Sequence, residues 1–188
     1  YDHIDKLAAG WEYLRHKSGK AVSNGVESGG FVRSRYAPDQ RCDIQFHFVP
    51  AEVMDGAPEG NGYSIDAYYL RPRSRGRLSL SSADPSVPVR IEARYLSDPE
   101  NHDLKMMVEV AKIMFDLKSQ AVLDAYRVRA LVPERAPRTE REFEEFVRSH
   151  AASVYHPVGT CRMGRSSDAQ AVVDSELRVH GIAGLRVV

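Results

Sequence analysis

One stretch of this 188-residue sequence gathers the residue types that proton transfer needs: Ser153-Val154-Tyr155-His156-Pro157-Val158-Gly159-Thr160-Cys161-Arg162-Met163-Gly164. Imidazole, with an unperturbed pKa of about 6.5, is the side chain best matched to taking or giving a proton near neutral pH. A proline beside His156 and two glycines beyond it constrain the backbone around one titratable ring, which suits a group that has to be aimed. A histidine in a strand can equally be a satisfied core or surface residue, so the residues alone leave both readings open.

Other groupings carry weaker signals. His150, His156 and Cys161 lie close together, but spacings of six and five match no standard zinc pattern. The two cysteines, Cys42 and Cys161, are far apart and in no CxxC pair, which fits two reduced thiols in an intracellular, cytoplasmic protein. Arg71, Arg73, Arg75 and Arg77 alternate through a turn. Guanidinium groups bind phosphate bidentately, and such charges also form a solvated hairpin end, so both readings stand.

The elements that must position these groups follow from periodicity. Lys plus Arg and Asp plus Glu both number 26, so the formal charge is zero and gives no case for nucleic acid or an anionic membrane as partner. No apolar run approaches the roughly 20 residues of a membrane helix, and the first residues form neither a basic leader nor a signal core. Ile4, Leu7, Ala8, Trp11 and Leu14 share one helical face, and Ser18-Gly19 ends that helix. Residues 26–33 read as a strand whose Gly29-Gly30 pair marks a bend, a bulge or a close approach. In residues 42–49 Ile44, Phe46 and Phe48 alternate with Gln45 and His47, a half-buried strand with His47 on its polar face. Residues 50–62 read as a long loop at a mobile rim. Strands resume at 63–70, 78–81 and 89–95. Asp98-Pro99-Glu100 is a helix start, and Leu104, Met107, Val108, Ala111 and Phe115 form that helix's buried face. A shorter helix covers 119–126. Thr139-Glu140-Arg141-Glu142 is a capping box, with Phe143, Phe146, Val147 and His150 at helical spacing after it. That last helix delivers the chain into the His156 segment.

Tyr155 through Gly164, then Val172-Val173-Asp174 and Leu177-Arg178-Val179-His180-Gly181, resembles the C-terminal signature of the glucose–methanol–choline (GMC) oxidoreductases. Upstream, Glu27-Ser28-Gly29-Gly30-Phe31, Leu70 through Gly76 and Tyr95 through Pro99 resemble the same family in the same order. The likeness covers nearly the whole chain, and within the family it is greatest to bacterial choline-dehydrogenase-like alcohol dehydrogenases.

The resemblance implies an α+β fold, a mixed and mostly antiparallel sheet with helices packed on one face. It implies a substrate-binding domain over residues 1–151, and an active-site segment over 152–188 leading back toward a separate FAD-binding domain. It implies His156 as the base that takes the hydroxyl proton while FAD takes a hydride. Tyr155 and His156 would then meet the flavin, and Tyr155, Glu27 and His47 the substrate, a small primary alcohol oxidised to an aldehyde. A quaternary ammonium substrate would ask for aromatic or acidic side chains, for which Glu27, Tyr68, Tyr69 and Tyr155 are available. The sequence departs from the family by lacking a GxGxxG strand–helix unit and the second catalytic His or Asn. It therefore reads as a fragment truncated on both sides that alone binds FAD weakly and turns over nothing. A non-catalytic binding module or an inactive fragment on the same fold is the alternative.

Overall fold

A computed structural model describes residues 3–51, 53–54, 57–58 and 62–188. The chain divides into two compact units, one of Tyr1–Arg73 with Asp98–Ser149, the other of Ser74–Ser97 with His150–Val188.

The first unit opens with helix α1 (His3–His16), which ends where Lys17 turns left-handed at φ 53° and donates its amide to Tyr13 O at 2.9 Å. The helical spacing of Leu7, Trp11 and Leu14 is real, but all three are exposed. Strand β1 (Ser28–Val32) pairs antiparallel with β2 (Ile44–Val49) in unbroken register, from Ser28 opposite Phe48 to Val32 opposite Ile44. The glycine pair therefore makes no bulge. It serves close approach instead, since a Cβ on Gly29 would stand 2.5 Å from the carbonyl oxygen of Phe46, whereas one on Gly30 would meet open space. The connection between the strands is closed by buried Asp43, whose carboxylate accepts from the amide of Ser34 at 2.7 Å and its hydroxyl at 2.8 Å.

The expected loop over 50–62 contains a small antiparallel pair, β3 (Val53–Met54) with β4 (Ala57–Pro58), and the rest of the expected mobile rim lies mainly outside the described residues. Strand β5 (Ser64–Tyr69) completes a three-stranded sheet in the order β1-β2-β5. Helix α2 (His102–Lys118) packs against β5. Between sheet and helix lies the core of Ile44, Phe46 and Val110, with Ile65, Ala67, Tyr69, Met107, Ile113 and Met114 around it. Of the residues anticipated, Leu104, Val108 and Ala111 are buried and Met107 and Phe115 half-buried; Met106 and Val110 are buried too, so the covered arc of α2 is wider than one stripe.

The start of α2 differs from the sequence expectation in an informative way. The helix begins at His102 behind a left-handed Asn101 (φ 52°), four residues after Asp98. Asp98 still acts as the cap: its carboxylate accepts from the amides of His102 (2.7 Å) and Asp103 (2.9 Å), two of the orphan donors of the first turn. A 3-10 turn over Ala121–Tyr126 follows, then helix α3 (Glu140–His150). The capping box of α3 forms as read: Glu142 N donates to Thr139 Oγ1 at 3.2 Å, and Thr139 N donates back to Glu142 Oε2 at 2.9 Å. Phe143 and Phe146 meet Phe115 of α2 edge-on, at centroid separations of 5.9 and 5.4 Å.

The second unit holds the short pair β6 (Arg77–Ser79) and β7 (Arg90–Glu92), and a C-terminal segment built from isolated bridges.

Candidate functional site

The C-terminal segment is pinned on one side of His156. Val173, almost completely buried, bridges Met163 in parallel and Val179 antiparallel, and Arg178 bridges Arg186. Val172 N donates to Arg162 O at 2.8 Å and Gly164 N to Val173 O at 2.9 Å. His180 is spent on this framework, with its amide on Val172 O (2.9 Å) and its ring Nε2 against Gly164 O (3.0 Å). Asp174 caps the turn after it: its carboxylate accepts from the amide of Arg178 (3.0 Å), the Arg178 guanidinium (2.8 Å) and the amide of Glu176 (2.9 Å), which together hold it below the usual aspartate range.

Upstream of this anchor the chain is shaped but open. Tyr155 sits at φ 61° with its amide on Ser153 Oγ (2.9 Å), and Gly159 is at φ 100°. A left-handed tyrosine costs about 1–2 kcal/mol and is worth a functional question. Tyr155 and Val158 are 88% and 94% exposed. His156 between them is also exposed and makes no hydrogen bond or ion pair with the described residues. Its imidazole is therefore available to an external group. Cys42 and Cys161 are both free thiols. Among the described residues no three His, Cys, Asp or Glu stand close enough to hold a metal ion.

His47 and Glu27 belong to the first unit. The β2 alternation puts Ile44 and Phe46 toward α2, and Gln45 and His47 on the opposite face. The register adds four residues to that face: Gly29 and Asp66 lie opposite His47, and Phe31 and Tyr68 lie opposite Gln45. Glu27 extends the β1–β2 pairing through its amide to Phe48 O at 3.1 Å, and alternation sets it on the face of Gly29. The His47 ring meets Tyr68 edge-on at 5.0 Å, and its Nε2 is 2.7 Å from Gln45 Nε2. Desolvation raises the Asp66 carboxyl above the ordinary aspartate value, opposed by the nearby His47 and by a hydrogen bond from Tyr68. Desolvation, with Asp66 beside it, pushes the Tyr68 phenol up to about 12.

One sequence reading is corrected here, and of the two left open for the arginine run the ion-paired surface turn is favoured. Tyr69 cannot line the same face as Tyr68: it points to the α2 side, with its hydroxyl 2.9 Å from His102 Nε2. The arginine run is largely matched with acids rather than left open for phosphate. Arg71 pairs with Asp39, Arg73 with Glu100, and Arg77 approaches Glu92 at 3.9 Å. Asp66 was missed. Its polarity among Ile65, Ala67 and Tyr69 was a usable signal, but its placement opposite His47 depends on a strand register that one sequence does not reveal.

Comparison with known proteins gives these geometries a context. The GMC oxidoreductase family profile matches residues 72–188. An oxygen-dependent choline dehydrogenase of Sinorhizobium medicae is 39% identical over 183 residues, covering 95% of this chain and 33% of that protein. An alcohol dehydrogenase [acceptor] of Pseudomonas putida is 40% identical over 184 residues, 95% of this chain and 32% of its own. A structure of formate oxidase from Aspergillus oryzae, determined to study modification of its FAD, superposes with a TM-score of 0.78 at 25% identity, over 97% of this chain and 36% of that one. The chain thus spans about a third of the length of the relatives it matches. With a matched signature through the His156 segment and the same α+β architecture, it belongs to the GMC oxidoreductases.

Proposed function

We propose that the chain is the substrate-binding portion of an FAD-dependent oxidoreductase that converts a primary alcohol to an aldehyde, with His156 as the base. The observation that carries this reading is the unengaged His156 imidazole, exposed in a segment whose downstream end is pinned through Val173 and His180. Residues 1–151 then serve as the substrate-binding domain, and 152–188 lead back to an FAD-binding domain of the same polypeptide. A cytoplasmic location fits this reading, and no described helix is long and apolar enough to cross a membrane.

The residues present suit a surface laid against a flavin rather than a cradle enclosing a dinucleotide. Tyr155 offers an exposed ring beside His156, whereas the sequence holds no GxGxxG turn. In the complete protein Tyr155 and His156 meet the cofactor, and FAD, when bound, accepts the hydride from the alcohol carbon. The His156 ring nitrogen takes the hydroxyl proton and, as imidazolium, hydrogen-bonds the oxygen as it becomes a carbonyl. Tyr155 beside His156 is the candidate substrate contact within this segment, and Glu27 and His47 are the candidates within the first unit.

The test is His156→Ala in the full-length protein, with flavin absorbance recorded to show that FAD is retained. Loss of a general base lowers kcat by about 10²–10⁴. A rate within a few-fold of wild type would remove His156 from this role.

A further inference from the structure

The C-terminal end of α2 and the chain that follows it enclose a surface cavity of about 180 Å³, wholly within the first unit. Its walls are apolar, formed by Phe115, Ala130, Pro133 and Ala136. The edge-on rings of Phe143 and Phe146 hold Phe115 in place, so this wall is preformed. Two cations complete the lining, Lys118 and Arg127. Arg127 is engaged: its guanidinium pairs with Asp124 and donates to the Lys118 carbonyl oxygen. A lysine in the last turn of a helix can cap the final carbonyls. Here Ser119, Gln120 and Arg127 already donate to those of Phe115, Asp116, Leu117 and Lys118. Among the described residues the Lys118 ammonium meets no carboxylate, and it lies 5.5 Å from the centroid of the Phe115 ring. Burial and the adjacent Arg127 charge hold it below the ordinary lysine value.

We propose that this cavity binds a small monocarboxylate, with its apolar body against Phe115, Ala130 and Pro133 and its carboxylate on the Lys118 ammonium. Three observations select this class. Asp124 balances Arg127, so one positive charge is left over, which matches a single carboxylate rather than a dianion. The apolar walls disfavour a small hydrated anion, because nothing on them replaces its water. An apolar cavity of about 150 Å³ accommodates benzene, so this one suits a single ring or a short alkyl chain. The proposal involves no step of alcohol oxidation, and the two readings stand or fall separately.

The experiment is isothermal titration calorimetry on the full-length protein at pH 7 and low ionic strength. The ligands are benzoate and its isosteres benzamide, which is neutral, and benzamidine, which is cationic. Expected is benzoate binding with a Kd on the order of 1 mM, with benzamide weaker and benzamidine weakest. Lys118→Met keeps the apolar stem and removes the charge. It is expected to weaken benzoate about 10-fold or more, as for a lost hydrogen bond to a charged group, and to leave benzamide within a few-fold. Lys118→Arg is expected to retain benzoate. Ala130→Leu fills the cavity and is expected to weaken benzoate and benzamide alike. Flavin absorbance and the melting midpoint show that each variant is folded, and either the Lys118→Met or the Ala130→Leu result is sufficient alone. Unchanged benzoate affinity in either of these variants overturns the proposal. So does the absence of saturable benzoate binding to the wild-type protein, or equal binding of benzoate and benzamidine.

Discussion

Asp98 shows how a single carboxylate can set the start of an element from four residues away. Burial pushes its carboxyl upward, but the amides of Asp103 and His102 aimed at it outweigh burial and leave it below the ordinary aspartate value. The group is thus more acidic in the folded chain than in the unfolded one, where it titrates near 3.9. Its contribution is complete above about pH 4 and is lost as pH falls through the depressed folded value. Asp174 and Glu142, each accepting backbone amides, shift in the same direction. Thermal melts from pH 7 to pH 3 are therefore expected to show a falling midpoint below about pH 4. Asp98→Asn is expected to lower the midpoint at pH 7 and flatten that acid limb. An Asp98→Asn variant with the wild-type acid limb would show that the α2 cap carries none of it. At this scale the sequence was partly legible. Asp98 was readable as a cap because Asp, Pro and Glu stand together, but the left-handed Asn101 that delays the helix leaves no comparable mark. His156 was readable because proline and glycines frame it. Asp66 was not, because strand register alone sets it opposite His47, nineteen positions away.

Elements were legible where one period dominates and obscure where pairing decides. The alternation of Ile44, Phe46 and Phe48 against Gln45 and His47 gave β2 and both its faces, and the Thr139–Glu142 box gave the start of α3. Gly29-Gly30 was ambiguous because a strand glycine has several causes, and only the register separates them. The two glycines now predict opposite outcomes. Gly29→Ala forces a Cβ to within 2.5 Å of the Phe46 carbonyl oxygen, which is backbone and cannot rotate away. Overpacking of this kind costs about 1–3 kcal/mol. Gly30→Ala enters open space and removes unfolded-chain entropy, so it is expected to be neutral or stabilising by up to about 1 kcal/mol. Urea unfolding of the two variants in the full-length protein measures the contrast. Equal destabilisation by both would mean that the β1–β2 approach at Gly29 is not the constraint. The α1 face exposes the limit of periodicity itself: Leu7, Trp11 and Leu14 define an apolar stripe, and spacing alone does not say what covers it.

For the molecule as a whole, surface area states what periodicity could not. A compact monomer of 21.1 kDa exposes about 9,000 Å², and two separate globules of the sizes of these units about 11,000 Å². The chain exposes 14417 Å². Against roughly 30,000 Å² for the unfolded chain it buries about half, where a 150-residue domain buries near 70%. Ion pairs do not make up the difference, because most lie at the surface and each contributes about 0–1 kcal/mol. Zero net charge also removes the repulsion that keeps exposed apolar patches apart in solution. Expressed by itself, the 188-residue chain is therefore expected to bind a hydrophobic dye such as ANS and to unfold over a broad temperature range. A sharp, single calorimetric transition without dye binding would show that the two units are self-sufficient and that the uncovered apolar faces are tolerated.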